Sequence, residues 1–357
     1  MNDDAPAPER SAAKRLRCRV RRVVTAVLGG LVGVTVLLAT GLTLWDGGVD
    51  ENARRQLLPG VTIDLRTIET ARGPIEYDLY GTSGPVVLSV HAGLGGADQG
   101  RLFASWLQND NFRILSPSRP GYLGTPLSSG RAVEEQADLL AALLDTLHIE
   151  RVGMFAVSAG APAATTFAAR HPDRIWGLVT IGGVSRAKPQ ATSNPGVRRI
   201  FLNAIGQKIA ALTARVSLES IVAGTLNETS TFTAEQKKQR VEHIISDANV
   251  KALFRAMFET TLPYGERWPG TDNDTQQTRS LHLPLDSITA PTLIVHGTQD
   301  GDVPIEDSEY ATTQIRGAQH YWASADDHLG FWLSPRSADM QHVVRTFLSR
   351  NAPRLPG

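Results

Sequence analysis

The 357-residue chain has one cysteine, Cys18. A single thiol excludes an intrachain disulfide and a thiolate metal cluster. Cys18 precedes the only long apolar run, whereas a lipid-bearing cysteine would follow one, so it reads as a bystander. Net charge is missing too: 36 basic residues offset 36 acidic ones. That balance argues against a nucleic-acid surface or a strongly charged substrate. There is no internal repeat, no dinucleotide fingerprint and no cluster of metal ligands, so no cofactor is implied.

What charge there is lies unevenly. Lys14, Arg15, Arg17, Arg19, Arg21 and Arg22 crowd the start, and an uncharged run follows over residues 23–45. At about 1.5 Å per residue that run crosses a hydrocarbon core of roughly 30 Å. It exceeds the apolar core of a cleaved signal peptide, about 7–15 residues. Asp46, Asp50 and Glu51 come next. A basic flank before and an acidic flank after predict a cytoplasmic N-terminus, with everything beyond Trp45 exported. The expected order is a basic tail (1–22), a transmembrane anchor in the lipid bilayer (23–45) and a linker (46–60). Ala39-Thr40-Gly41 offers a small-x-small cleavage site, which would make the product secreted.

From Val61 the pattern becomes alternating strands and helices. Strand-like runs are "VTIDLRTIE", "IEYDLYG", "PVVLSVH", "FRILSPS", "RVGMFAVS", "IWGLVTIGG", "PTLIVHG" and "AQHYWAS". Several are almost continuously apolar, as parallel strands covered on both faces must be. Between them, "VEEQADLLAALLDTLHI" places Ala137, Leu140, Ala141, Leu144 and Leu147 on one helical face. Ser334-Pro335 suits the start of a final helix carrying Met340, Val343, Val344, Phe347 and Leu348. The rhythm predicts an α/β fold: a doubly wound, mostly parallel eight-stranded sheet whose first hairpin is antiparallel. Its core would comprise residues 61–184 and 291–357. Residues 185–290 lack strand signals and read as a helical cap. "RRIFLNAIGQKIAALTARV" and "NVKALFRAMFETTL" are amphipathic there, "TAEQ" has capping-box spacing, and "TDNDTQQTRS" reads as a closing polar loop.

One polar residue stands out. In "RVGMFAVSAGAPAATTFAAR", Ser158 falls where a buried strand turns into a helix. Small neighbours, Ala156, Ala159 and Gly160, let the backbones crowd there. The turn lifts the hydroxyl above the C-terminal edge of the sheet, beside helix N–H groups. Alone, this is equally a helix N-cap. A nucleophilic serine needs a base, and the base an orienting acid. A loop histidine can reach the sheet edge, which favours His328 in "SADDHLGFW" over His320 within the strand "AQHYWAS".

The pentapeptide "AVSAG" resembles the G-x-S-x-G nucleophile elbow of α/β-hydrolases, with Ala156 in place of the first glycine. That resemblance implies the order serine, acid, histidine. It assigns the acid to Asp300 in "PTLIVHGTQDGDVP", with Asp302 as the competitor. It gives an oxyanion hole from the N–H of Ala159 and, in "HAGLGG", of Gly93, with Leu94 as the neighbouring alternative. "SRPGYLGTP" is similar to a family segment shaping the pocket floor, and "ADQG" to a stretch of proline-iminopeptidase-like and haloperoxidase-like members. The resemblance covers Val61 to Arg350 except the cap. It implies a serine hydrolase acting on a small-molecule ester, amide or related carbonyl, with Ser158, Asp300 and His328 catalytic. A serine at the elbow argues against dehalogenase or epoxide-hydrolase chemistry. Phe254, Met257 and Phe258 either line an acyl pocket or form the core of the cap. A peptidase for free N-termini would want a carboxylate pair, for which Glu219, Glu235, Glu242 and Glu259 are available. The other reading is an inactive hydrolase fold serving as a binding module.

Overall fold

The computed structural model describes residues 56–188, 206, 212–213, 216 to 354. The expected tail (1–22), membrane segment (23–45) and most of the linker lie outside the described residues, as does most of "RRIFLNAIGQKIAALTARV". Among the described residues no helix is long and apolar enough to cross a membrane.

The strands are β1 (Gln56–Leu58), β2 (Val61–Thr62), β3 (Arg66–Thr70), β4 (Gly73–Tyr80), β5 (Val86–Val90), β6 (Arg113–Pro117), β7 (Val152–Val157), β8 (Ile175–Ile181), β9 (Thr292–Gly297) and β10 (Gln319–Ala323). β1 and β2 form a small antiparallel pair, so part of the expected linker is strand. "VTIDLRTIE" is correspondingly two strands. It breaks at Asp64, whose N–H donates to Asp78 Oδ1 at 2.7 Å instead of continuing a ladder.

The other eight strands make one sheet in the order β10-β9-β8-β7-β5-β6-β4-β3. β3–β4 and β4–β6 are antiparallel; the remaining pairs are parallel. The eight-stranded, mostly parallel sheet is therefore present. From β5 the chain goes to β6 on one side, then returns to β7 on the other. In such sheets a crevice opens at that switch, outside the carboxyl ends of the strands.

Burial on both faces explains the apolar runs. In β7, Val152, Met154 and Ala156 join one core cluster with Leu140, Leu144 and Phe167. Phe155 and Val157 point into the other, with Trp332 and Val344. The flanking helices are α1 (Ala97–Phe103), α2 (Val133–Thr146) and α3 (Ala161–Arg170). Glu135 begins α2 by accepting the N–H groups of Arg131 and Ala132, at 2.7 and 2.9 Å.

Between β8 and β9, among the described residues, lie α4 (Leu218–Thr229), α5 (Ala234–Ser246), α6 (Ala248–Glu259) and α7 (Trp268–Thr278). Thr233 and Gln236 cap α5 reciprocally, as "TAEQ" predicts. The expected polar loop "TDNDTQQTRS" is mostly α7. A helix with so little apolar face needs polar anchors, and Asn273 and Asp274 supply them by bonding to Arg131 O and to Arg119. The chain ends with α8 (Ile305–Gln314), α9 (Gly330–Leu333) and α10 (Ser337–Asn351). Ser334 does not cap α10. It closes α9, and its Oγ accepts the N–H of Arg336, the residue preceding α10.

The Phe155 ring packs edge-on to Trp106 at 5.9 Å and Trp332 at 6.4 Å and tilts against Phe331 at 5.8 Å. Phe155→Ala should lower unfolding free energy by about 3–5 kcal/mol in a guanidinium titration. A loss below about 1 kcal/mol would mean that the ring does not hold this layer together.

Candidate active site

The sheet switch brings the segment after β5 beside the segment after β7, because Val90 pairs with Ala156. Ser158 follows two residues after Ala156. Its φ is 51°, a left-handed conformation that a residue with a Cβ adopts at a cost. Gly160 is required by close approach: a Cβ there would stand 2.5 Å from His91 O. Ala156, where the elbow pattern has glycine, places its methyl in the apolar cluster with Val90 and Ala164, so the turn accommodates it. Helix α3 begins directly afterwards.

Asp300 lies on the turn after β9 and His328 on the loop after β10. His328 Nδ1 is 2.6 Å from Asp300 Oδ2. Asp300 Oδ1 accepts the N–H groups of Asp302 and Val303, both at 2.8 Å. His296 Nε2 stands 3.2 Å from Oδ2 on the far side. Burial opposes the charge of Asp300, but the His328 charge and the His296 and His328 hydrogen bonds outweigh it and hold the carboxyl well below its usual range. Burial would likewise lower His328. The Asp300 carboxylate, with Asp302 and Asp327 nearby, outweighs that and raises it.

The turn after β8 touches both the Ser158 backbone and the imidazole. Val184 N–H donates to Ser158 O at 3.2 Å. Gly182, at φ 54°, lies so near the imidazole that a Cβ would come 3.0 Å from His328 Nδ1. Ser158 is 6% and His328 7% exposed, so both are sheltered without being sealed. Among the described residues the Ser158 hydroxyl makes no hydrogen bond in this state, and such bonds commonly tighten only with substrate in place. Asp302 lies on the side of the other ring nitrogen, its Oδ2 3.8 Å from His328 Nε2. His320 is exposed on β10, stacked on Trp322 and away from the crevice.

The "HAGLGG" segment packs on the same turn, with Gly93 facing the Ala159 methyl. Ala92 N–H donates to Gln99 Oε1 and Leu94 N–H to Thr271 Oγ1, both at 3.1 Å. Among the described residues the N–H of Gly93 has no such acceptor, which separates it from Leu94. His91 supports the segment: Nδ1 lies 2.7 Å from Ala92 O, while Nε2 accepts the Arg119 N–H at 3.0 Å. Burial, then the positive charge of Arg119, pushes its pKa well down and keeps it neutral.

"SRPGYLGTP" and "ADQG" turn out to seat the cap. Arg119 binds Asp274 of α7 through two 2.7 Å bonds, and Tyr122 OH donates to the same carboxylate at 2.6 Å. Asp98 accepts Arg267 at 3.0 and 2.6 Å. Phe254 and Met257 are buried in the core cluster. Glu219, Glu235 and Glu242 are exposed; Glu235 bonds to Gln239 and Glu242 faces Lys238. Sequence reasoning missed His296, Thr271, Arg240, Asp326 and Asp327. His296 was open to view, four residues before Asp300; the cap contacts span more than 80 positions and leave no local signal.

An ionised acid bonded to an imidazole beside a strained strand-to-helix serine is the arrangement of a hydrolase. Residues 85–335 match the family described as alpha/beta hydrolase fold, and the chain belongs to it. It is 26% identical over 291 residues, 80% of its length and 98% of the relative's, to the uncharacterized hydrolase YcgS of Bacillus subtilis. It is 25% identical over 242 residues, 65% of its length and 76% of the relative's, to a 2-hydroxy-6-oxononadienedioate/2-hydroxy-6-oxononatrienedioate hydrolase of Burkholderia vietnamiensis. Among solved structures, an alpha/beta hydrolase fold protein from Nakamurella multipartita is 35% identical with a TM-score of 0.75, covering 80% of this chain and 99% of that one. The chain is thus a hydrolase of the α/β fold.

The electrostatics of the pair are measurable directly. NMR titration of His328 should give a midpoint above the ordinary imidazole value, about 6.5. Asp300→Asn should lower it, because the largest charge favouring the cation is gone. A wild-type midpoint at or below the ordinary value would contradict this account.

Proposed function

We propose that the chain is a membrane-anchored serine hydrolase that cleaves a carbonyl substrate through an acyl-serine intermediate. The observation carrying this reading is the 2.6 Å Asp300–His328 bond set beside a serine held at φ 51°. His328 Nε2 removes the Ser158 proton as Oγ attacks the carbonyl carbon. Asp300 keeps the proton of the imidazole on Nδ1, so that Nε2 presents its lone pair, and stabilises the cation that forms. The N–H groups of Gly93 and Ala159 receive the developing oxyanion. The imidazolium then protonates the leaving group. Water, deprotonated by His328, displaces the acyl group and restores Ser158.

Small esters and lactones suit this chemistry, and so do C–C bonds beside a carbonyl; the Burkholderia relative is named for hydrolysing 2-hydroxy-6-oxononadienedioate, an oxo compound. Anchoring rests on the sequence: six basic residues precede the uncharged run of 23–45, and acidic residues follow it. Positive-inside orientation then puts the hydrolase outside the cytoplasm.

A fluorophosphonate should label Ser158 in the folded full-length chain, and Ser158→Ala should abolish both labelling and turnover of an ester panel. A folded chain that takes no label would instead favour a binding module. Since the base must be neutral, kcat/KM should rise with pH along a limb above about 6.5. A limb at lower pH would remove His328 from the role. The anchor predicts that the full chain stays in membranes after an alkaline wash, while a chain lacking residues 1–45 is released. Release of both would refute it.

A further inference from the structure

The loop before the base is held by the cap. Arg240, on α5, is 7% exposed. Its guanidinium spans two consecutive carboxylates, with Nη1 2.6 Å from Asp327 Oδ1 and Nη2 2.7 Å from Asp326 Oδ1. Both carboxylates are buried, and the next residue is His328. Arg336 adds a longer contact of 3.1 Å to Asp326 alone. Asp327 Oδ2 is buried with no hydrogen-bond partner. Arg240 is therefore the one cation hydrogen-bonded to Asp327 among the described residues.

The same corner of the cap meets the acid's turn. Thr229 O, at the end of α4, accepts the N–H of both His328, at 3.2 Å, and Gly301, at 3.1 Å. Thr231 N–H donates to Gln299 O at 2.9 Å, and the Gln236 and Gln299 side chains pair at 3.0 Å. A mooring between cap and core needs only one carboxylate, as Arg267 and Asp98 demonstrate on the opposite side. Buried ion pairs of this kind are weak sources of net stability, since desolvation offsets most of the attraction. Their geometry, by contrast, is strict, because a guanidinium presents its donors in a rigid fork.

Building on the serine-hydrolase reading above, we propose that Arg240 is a positioning residue for the base: by clamping Asp326 and Asp327 it makes the placement of His328 depend on the seating of cap helix α5. Three carboxylates act on the imidazole: Asp300 at Nδ1, Asp302 on the Nε2 side, and Asp327. His296 stands behind Asp300, Arg336 is on Asp326, and Arg240 offsets the negative charge of Asp326 and Asp327 together. Without the guanidinium, Asp327 loses the cation that holds it and the loop loses its fixed register.

The test uses the full-length chain, an ester substrate, fluorophosphonate labelling and a thermal melt for each variant. Arg240→Gln should lower kcat and the labelling rate about 10- to 100-fold, with KM changed less than about 3-fold. Arg240→Lys should recover part of kcat, being a cation that cannot bridge both carboxylates. Unchanged kcat in folded Arg240→Gln, with only the melting temperature lowered, would reduce Arg240 to a structural mooring. Should Arg240→Gln fail to fold, Arg240→Lys and Asp327→Asn carry the test, and full kcat in both overturns the proposal. A folded wild-type chain that takes no label fails at Ser158 itself, marking the serine-hydrolase reading as the fault and ending this proposal with it.

Discussion

A buried carboxylate survives as an anion only if its surroundings replace the water it has lost. Asp300 meets that condition with two backbone N–H groups of its own turn, His328 on one side and His296 on the other. Everything distinctive about the crevice depends on that charge. It draws Nδ1 of the ring to 2.6 Å and favours the imidazole cation. The turn after β9 and the loop after β10 could drift apart in sequence space, but this one bond ties them together.

The sheet makes the arrangement possible by topology. Reversal of strand order at β5 opens the crevice, and the pairing of β5 with β7 brings "HAGLGG" against the Ser158 turn. The strained φ at Ser158 is sustained because Gly160 lets the backbone press on His91 O. His91, kept neutral by burial, braces the same segment through Ala92 and Arg119. Strain at one residue is thus supported by packing and hydrogen bonding at several others.

The cap shares the apolar core cluster with the sheet and is also attached by charge. Arg119–Asp274 and Arg267–Asp98 fasten α7 and the chain before it beside the Gly93 segment; Arg240 fastens α5 beside His328. In each case an arginine fork meets a carboxylate in a nearly dry setting. Such pairs add little net stability, yet they penalise misplacement heavily, because a displaced partner leaves a buried charge unpaired. The Gly93 segment and the His328 loop are therefore each held by a separate cap contact.

Period and punctuation alone made much of this molecule legible. Continuous apolar runs marked the parallel strands, since a strand buried on both faces has no polar side to display. The small residues around Ser158 marked the elbow, because backbones crowd only where side chains are small. The order of Ser158, Asp300 and His328 came from the resemblance to the hydrolase elbow and not from local pattern. Local pattern failed where polar groups find distant partners: "TDNDTQQTRS" is helical because Asp274 and Asn273 bond to the core, and Ser334 closes one helix instead of opening the next. The contacts made by Leu94, His296, Thr271 and Arg240 belong to tertiary structure alone. They rest on contacts between segments far apart in the chain, and the sequence records which groups exist without recording which of them meet.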